Sequence, residues 1–361
     1  MADKADIKAE AERLFASFQD AGATPVETAL LQPAEVLLDL YGEDIRARAY
    51  VTSDGVLGEQ MLRPDFTVPI VQTHMKDGTE PARYTYMGAV FRQQQAGTGR
   101  ANEYMQVGYE VFDRANPAEA DAEVFALFDR TLAGRGLQAS TGDVGILIAA
   151  VQGLETSARR RAALMRHIWR PRRFRTLLDR FAARAPAPDG RADLVEALDG
   201  LDVDQIVAGA GPEIGMRSAS EVATRLQALR ADSDVAPIPA AQIDAVLELL
   251  EIVEPVERAS KKLAEIAAGF PAIDDALAVF NSRLEALNAR GVALEELRFE
   301  GSYGRTLMEY YDGFVFGFSK NGAAPVASGG RYDALTRVLG QGREIPAVGG
   351  VIRPERLGAA S

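Results

Sequence analysis

The stretch Glu103-Tyr104-Met105-Gln106-Val107-Gly108-Tyr109-Glu110-Val111-Phe112 alternates in a way that predicts a β-strand. Alternate residues of a strand share one face. One predicted face therefore carries Gln106 and Glu110 on either side of Gly108, while the other is apolar and typical of a core. The glycine leaves room for a ligand to approach the backbone, and the amide and carboxylate suit an imidazole or ammonium donor. The alternative for an isolated strand is a polar face that is solvated or paired across the sheet.

Strand patterns occupy the two ends of the chain, and helical patterns occupy the middle. Residues 1–155 and 291–361 carry short alternating runs separated by turns. Residues 156–290 are rich in Ala, Leu, Arg and Glu, and two long helices are predicted there, Ile243–Ala268 and Ala272–Arg290. We therefore expect an α+β fold, in which a core domain with a mixed, mostly antiparallel sheet and flanking helices is interrupted by a helical insertion domain at 156–290.

The composition limits the classes of function. The chain has 361 residues, of which 47% are hydrophobic and 25% charged, as is ordinary for a soluble protein of two or three domains. It has no cysteine, which excludes disulfides, cysteine zinc sites and thiolate catalysis. The N-terminus lacks the apolar segment of a signal peptide, and the longest apolar run, 144–151, is too short to span a bilayer. We expect a cytoplasmic protein that does not contact the membrane.

Charge and histidine content also argue against two kinds of site. A net charge of −12 disfavours general nucleic-acid binding. His74 and His167 have no metal-ligand spacing, so no metal site is predicted. One segment departs from the acidic average, because ten arginines lie between Arg159 and Arg184, with Trp169 among them. This segment is interpreted as a solvated helical face or a docking surface for an acidic partner, with RNA binding as the alternative.

Two further segments carry polar side chains of a ligand-binding type. If Leu62–Thr67 is extended, as Pro64 favours for the preceding residue, Asp65 and Thr67 share a face that suits an ammonium group. The alternative, compatible with the first, is that one of them caps the next helix. In Ser328–Asp333, two glycines precede Tyr332 and can present its hydroxyl to a pocket, although a plain turn is equally consistent with the pattern.

Six segments, taken in order, resemble the histidyl-tRNA synthetases, which are class II aminoacyl-tRNA synthetases. The resemblance covers Val26–Val151 and Leu294–Leu357, about half of the chain. Any one of the matches alone would be weak, whereas six in the correct order are specific. They correspond to the amino-acid ammonium loop, motif 2 and its strand, the following helix, two histidine-specific motifs and motif 3: Leu62–Thr67, Phe91–Glu110, Asp121-Ala122-Glu123, Tyr310-Tyr311-Asp312-Gly313, Gly329-Gly330-Arg331-Tyr332-Asp333 and Gly350–Leu357.

The resemblance implies a histidine pocket beside a nucleotide site. The residues that it assigns to histidine binding are Asp65, Thr67, Arg92, Gln106, Glu110, Tyr311 and Tyr332. The residues that stand where the family holds ATP are Arg92, Arg100 and Arg356.

The departures from the family pattern concern catalysis. Gln94 stands in place of the motif 2 acid, and Arg353, followed by Pro354, replaces the motif 3 glycine beside ATP. Thr306 stands in the register of the arginine that stabilises the activation transition state, with Arg305 one residue away. A lost guanidinium is costly where charge spreads over a transferring phosphoryl group. We also expect no anticodon-binding domain.

With these departures the chain resembles the regulatory subunits of short-form ATP phosphoribosyltransferases. That resemblance implies a non-catalytic partner that needs no cofactor, activates the short catalytic subunit and transmits feedback inhibition by L-histidine. It also implies a homodimer built on Val26–Leu40 within a hetero-oligomer with the catalytic subunit. Two alternatives remain: an active enzyme that forms histidine adenylate, and a scaffold whose pocket is vestigial.

Overall fold

The computed structural model describes residues 4–35, 48–94, 97, 101–186, 188–200, 202–211, 216–305, 310–320 and 322–358. The chain divides into two compact units. The larger unit is formed by Met1–Ala149 together with Glu248–Ser361, and the smaller by Ala150–Leu247.

The strands form a large sheet and a small one. In chain order they are β1 (Thr24–Pro25), β2 (Leu31–Pro33), β3 (Val51–Asp54), β4 (Gly58–Leu62), β5 (Ala82–Phe91), β6 (Glu103–Phe112), β7 (Gln138–Asp143), β8 (Val253–Pro255), β9 (Arg298–Glu300), β10 (Phe314–Ser319), β11 (Ala327–Arg331) and β12 (Ala347–Ile352). The large sheet has the order β1-β5-β6-β12-β11-β10-β7-β9-β8, and the small one the order β2-β4-β3. In the large sheet, the β1–β5 and β7–β9 pairs are parallel, and the other pairs are antiparallel. This confirms the predicted α+β fold with a mixed, mostly antiparallel sheet.

Helices flank the large sheet and make up the smaller unit. In chain order they are α1 (Lys4–Asp20), α2 (Thr67–Asp77), α3 (Pro117–Leu132), α4 (Val144–Gln152), α5 (Ala158–Arg166), α6 (Pro171–Phe181), α7 (Arg191–Gly200), α8 (Val203–Gly209), α9 (Ala219–Ser233), α10 (Ala240–Glu251), α11 (Val256–Gly269), α12 (Asp274–Ala289), α13 (Asp333–Leu339) and α14 (Pro354–Gly358). None of the helices in the described ranges is both long enough and apolar enough to cross a membrane.

The stretch 103–112 forms β6, which lies between β5 and β12 in the large sheet. On the face predicted to be apolar, Val107, Tyr109 and Val111 are fully buried. Helices α1 and α3 cover this face, since the Phe18 ring lies 5.5 Å from the Tyr109 ring and 5.3 Å from the Phe128 ring. The opposite face, which carries Glu110, is therefore the one available for a site.

Helix α3 begins where the sequence supplies a cap. The side chain of Asn116 accepts a hydrogen bond from the backbone N–H of Glu119, and Pro117 occupies the first turn, where its missing N–H costs nothing.

The predicted insertion and the smaller unit differ at their C-terminal bounds. Helices were expected across 156–290, yet α11 and α12 belong to the larger unit. Arg283 of α12 explains this, because its guanidinium pairs with Asp121 of α3 at 3.0 Å and also contacts Asp143. The predicted single helix Ile243–Ala268 is wrong. It is broken by β8, because Pro255 has no N–H with which to continue the helix.

The smaller unit has a core of its own, centred on Leu198, Val203 and Leu226. Its helices α8 and α9 each begin with a capping box, formed by Asp202 and Gln205 in the first. Such caps satisfy the backbone N–H groups that a short helix leaves free at its start.

Candidate functional site

The register of four neighbouring strands places one row of residues on the face that carries Glu110. Tyr84 and Gly349 lie opposite Glu110, and Gly330 lies opposite Gly349. Residues directly opposite each other project to the same face. A side-chain carbon at Gly349 would overlap the Glu110 carboxylate, so glycine is required there for the carboxylate to lie over the sheet.

Glu110 is the centre of this site. It is 1% exposed and accepts three hydrogen bonds from hydroxyl groups. Its Oε1 accepts from Thr67 Oγ1 at 3.0 Å and from the Tyr86 hydroxyl at 3.2 Å, and its Oε2 accepts from the Tyr332 hydroxyl at 2.6 Å. A buried carboxylate surrounded by neutral donors has no cation of its own among these contacts, so it is suited to a ligand that brings one.

Burial raises the pKa of Glu110 to about 7, although its three hydroxyl donors act in the opposite direction. The nearby carboxylate of Asp65 raises the pKa further. Because burial disfavours the charged form, a cationic ligand would lower this pKa and bind best to the ionised group.

Asp65 and Arg92 form the next part of the site. Asp65 is 4% exposed, and its Oδ2 lies 3.6 Å from Nη2 of Arg92. Arg92 Nε donates to the Pro64 carbonyl at 2.7 Å, which orients the guanidinium. Asp65 also accepts a long bond, 3.5 Å, from the N–H of Val68 in the first turn of α2. Of the two side chains considered as caps, Asp65 accepts this bond from the first turn of α2, whereas the Thr67 hydroxyl donates to Glu110.

Aromatic side chains form a wall of the same cavity. The ring of Tyr310 lies 4.9 Å from that of Tyr311 and 6.1 Å from that of Tyr332. Burial raises the pKa of both Tyr311 and Tyr332 well above that of an ordinary phenol, with the charge of Glu110 adding to the effect. Their hydroxyls therefore stay protonated at neutral pH, and that of Tyr332 donates to Glu110.

The structure brings all seven residues predicted to bind histidine to one cavity. Its empty volume is about 380 Å³, including the part open to solvent. The predicted residues that line it are Asp65, Thr67, Arg92, Gln106, Glu110, Tyr311 and Tyr332. That they bind histidine stays a prediction, since no ligand is present.

The lining residues that sequence reasoning did not assign to a ligand pocket include Tyr86, Ser328 and Arg353. Tyr86 of β5 lies opposite Gly108 of β6. Once β5 and β6 are known to pair, the two-residue period that places Glu110 on this face places Tyr86 there too. From the sequence, Ser328 was predicted only to begin a turn, and Arg353 was predicted to replace a glycine beside ATP.

The structure describes two of the three residues assigned to the nucleotide site. Arg92 lines the cavity, but Arg356 is absent from the lining and donates from Nη1 to the Pro325 carbonyl at 2.6 Å. Arg100 and Thr306 lie outside the described residues. Arg305 is 4% exposed and does not line the cavity, and burial lowers its pKa to about 10.

Arg353 lies in the wall of the cavity. Its Nη1 and Nη2 each donate to Ser328 Oγ at 3.2 Å. Burial lowers the pKa of Arg353 to about 10, and the positive charges of Arg356 and Arg92 add to this effect.

A buried ionic network supports the strand that presents Tyr332. Arg331, next to Tyr332, pairs with Asp121 at 2.7 Å, and Asp121 also pairs with Arg283 at 3.0 Å. Asp312, next to Tyr311, accepts a hydrogen bond from the N–H of Asp333 at 3.0 Å. Arg331 and Asp333 were noticed only as parts of a motif, and nothing in the sequence indicated this supporting role.

Part of the arginine-rich segment makes contacts within the smaller unit. Arg160 pairs with Asp232 at 2.8 Å and donates to the Ala236 carbonyl at 3.0 Å. Arg184 pairs with Asp244 at 2.7 Å. Several of these cations thus hold helices together. As for metals, no group of three or more candidate ligands occurs in the part of the chain that is described.

Comparison with known proteins gives consistent results. The family model for histidyl-tRNA synthetase matches residues 2–231 and 217–357. A protein of Mesorhizobium japonicum named ATP phosphoribosyltransferase regulatory subunit is 33% identical over 373 residues, which cover 98% of this chain and 96% of that protein. One of the same name from Rhizobium johnstonii is 35% identical over 360 residues, 94% of each chain.

Solved structures agree at the level of the fold. A Bacillus halodurans crystal structure described as an ATP phosphoribosyltransferase regulatory subunit/histidyl-tRNA synthetase has a TM-score of 0.69 at 22% identity, covering 100% of this chain and 81% of that chain. Histidyl-tRNA synthetase from Nostoc sp. PCC 7120 has a TM-score of 0.62 at 18% identity, covering 98% of this chain and 70% of that chain. The sequence relatives and the family model together establish that the chain belongs to the ATP phosphoribosyltransferase regulatory subunits, a family built on the histidyl-tRNA synthetase fold.

Proposed function

We propose that this chain is a non-catalytic, cytoplasmic subunit that activates a short-form ATP phosphoribosyltransferase catalytic subunit and mediates feedback inhibition by L-histidine. Membership of the regulatory-subunit family supports the regulatory role. The observation that carries the histidine part is the cavity around Glu110, where a buried carboxylate is held by three hydroxyl donors.

Histidine matches the chemistry of this cavity. Glu110 and Asp65 accept hydrogen bonds from imidazole or ammonium N–H groups, and Gln106, which is 2% exposed, is able to donate or accept. The aromatic wall of Tyr311 and Tyr332 encloses a planar ring. Buried, precisely placed polar groups of this kind discriminate strongly against ligands that leave them unpaired.

Two features support a sensor over a catalyst. Arg353 occupies space in the cavity where a synthetase has glycine, and Arg305 lies away from the cavity lining. Stabilisation of a phosphoryl transition state requires preorganised cations aimed at the reacting group. A side chain that fills part of the cavity and a displaced guanidinium both oppose adenylate formation.

A homodimer agrees with the small sheet. Leu30, Leu31 and Val51 are 51%, 47% and 43% exposed. The first two lie within the segment predicted to pair two copies, so part of that segment presents an apolar surface. That segment, 26–40, is described only to Glu35. Regulation by histidine further requires that the ligand favour one of two states of the assembly.

The decisive experiment measures phosphoribosyl-ATP formation by the short catalytic subunit, with and without this chain, across a titration of L-histidine. We expect activation by the chain and inhibition by histidine that depends on its presence. The variant Glu110→Gln should keep activation and lose histidine inhibition, while the exposed matched variant Glu257→Gln should behave as the wild type. No effect of the chain at stoichiometric excess would refute the proposal, and histidine-dependent ATP–pyrophosphate exchange would favour the adenylate-forming enzyme instead.

A further inference from the structure

Arg353 is a cation without an acidic partner among the described residues. Within the described ranges, its guanidinium donates to the hydroxyl of Ser328, which lies 3.2 Å from both terminal nitrogens. Two buried arginines of the larger unit are paired with carboxylates, since Arg283 contacts two aspartates and Arg331 pairs with Asp121 and Asp333. A third, Arg63, uses its guanidinium on the carbonyls of Thr28 and Ala89 instead. A guanidinium has five donors in a fork that matches a carboxylate, and a single hydroxyl oxygen leaves most of them unused.

The sheet register fixes where this cation lies relative to Glu110. Ser328 is opposite Val351, and Val351 is opposite Gly108, so Ser328 shares the face of Glu110 and lies two residues along from it. Ser328 is therefore displaced from Glu110 by two strands, roughly 10 Å across the sheet, and by two residues, roughly 7 Å along it. The side chains of Glu110 and Arg353 extend from these positions into the lining of the same cavity, so a carboxylate and a guanidinium both face it.

The charges of the cavity are arranged in two groups. Arg92 lies 3.6 Å from Asp65, so part of its charge is balanced within the site. Arg353 is not balanced in this way, and the neighbouring charges of Arg92 and Arg356 make its surroundings more positive. The end of the cavity near Ser328 therefore favours an anion, while the end near Glu110 favours an N–H donor or a cation.

We propose that Arg353 binds the free α-carboxylate of the amino acid whose N–H-donating end lies at Glu110. The pocket then selects the free amino acid over analogues in which the carboxylate is reduced, amidated or esterified. This inference rests on the proposed function, from which it takes histidine as the ligand. Arg–carboxylate pairing is bidentate and charge-assisted, and both properties are lost when the carboxylate becomes an alcohol or an ester.

The same interaction gives Arg353 a role beyond filling space. An acyl-adenylate has no free carboxylate, so a pocket that uses Arg353 favours unreacted histidine over the activated form. The motif 3 position is then a specificity determinant for an effector, and its side chain is oriented by the hydroxyl of Ser328.

The test is calorimetric titration of the full chain, alone and with the catalytic subunit, with L-histidine and with L-histidinol. Histidinol differs from histidine by the replacement of the carboxylate with a hydroxymethyl group. The variants are Arg353→Met, Arg353→Lys and, as a control, Arg337→Met, whose arginine is exposed on α13. A charge-assisted hydrogen bond contributes enough for the wild type to bind histidine about 10- to 100-fold tighter than histidinol.

Arg353→Met should remove this preference by weakening histidine while leaving histidinol unchanged, and Arg353→Lys should keep part of it. Circular dichroism verifies that each variant is folded. Two results would overturn the inference: folded Arg353→Met still prefers histidine by the wild-type factor, or it loses affinity for both ligands equally. In either case Arg353 does not bind the carboxylate, while the proposed histidine sensing is unaffected. If the wild type binds neither compound in either assembly, histidine sensing itself fails, and the inference fails with it.

Discussion

Replacing Glu110 by Gln should have opposite effects on stability and on ligand binding. The carboxyl is 1% exposed, and burial raises its pKa to about 7, compared with a value of 4.5 for an ordinary glutamate. Each unit of difference between the folded and unfolded states corresponds to about 1.4 kcal/mol. Because the pKa of Glu110 is raised in the folded state, the unfolded chain binds fewer protons than the folded chain at pH values between the two pKa values. The wild type then loses about 3 kcal/mol of stability as pH rises through this window.

Glutamine does not titrate, so Glu110→Gln lacks this loss. Urea unfolding followed by circular dichroism at about pH 5 and pH 7.5 measures the free energy of unfolding of both proteins. From the lower pH to the higher, this free energy should fall by about 2 to 3 kcal/mol more for the wild type than for the variant. The control Glu257→Gln, at an exposed position, should follow the wild type. Parallel pH profiles for the wild type and Glu110→Gln would refute the assignment of Glu110 as a buried carboxyl with a raised pKa.

The same substitution should weaken the histidine response. Glutamine keeps the shape of the side chain but removes the negative charge and adds an N–H₂ group that opposes a donor on the ligand. Loss of a charge-assisted hydrogen bond predicts about a 10- to 100-fold weaker affinity for histidine. An unchanged response in a folded variant would remove this pocket from the regulatory mechanism.

Two other predictions concern the core and the surface. Arg283→Met removes the cation from buried Asp143 and one of two cations from buried Asp121, which keeps Arg331. The free energy of unfolding should therefore fall by about 3 to 5 kcal/mol, whereas the exposed control Arg175→Met should change it by less than about 0.5 kcal/mol in chemical denaturation. Equal effects of the two variants would show that the Arg283 network does not stabilise the larger unit. Leu31→Asp puts a charge on the exposed apolar face of the small sheet and should shift the molar mass from dimer to monomer in light scattering, while Val279→Asp, an equally exposed change on α12, should not. A monomeric wild type would contradict the predicted homodimer.

The structure explains why the site was predictable. Glu110 and Gln106 share a face because of the two-residue period of β6, which is a local property. Asp65, Tyr311 and Tyr332 were found through short motifs whose order along the chain matches a known family. None of these inferences required knowing which strands are neighbours.

What the sequence determined by itself is the set of groups that could meet a ligand, because side-chain type and strand period are read one segment at a time. What only the tertiary structure decided is which groups meet. Strand pairing brought Tyr86 and Ser328 to the face of Glu110. The Arg283–Asp121 pair, 162 residues apart in the chain, assigned α12 to the larger unit instead of to an insertion. That Arg353 faces the cavity follows from the pairing of β12, which precedes it, with β11, which carries Ser328. Pairing across such separations depends on the packing of the whole unit, so no local pattern in the chain encodes it.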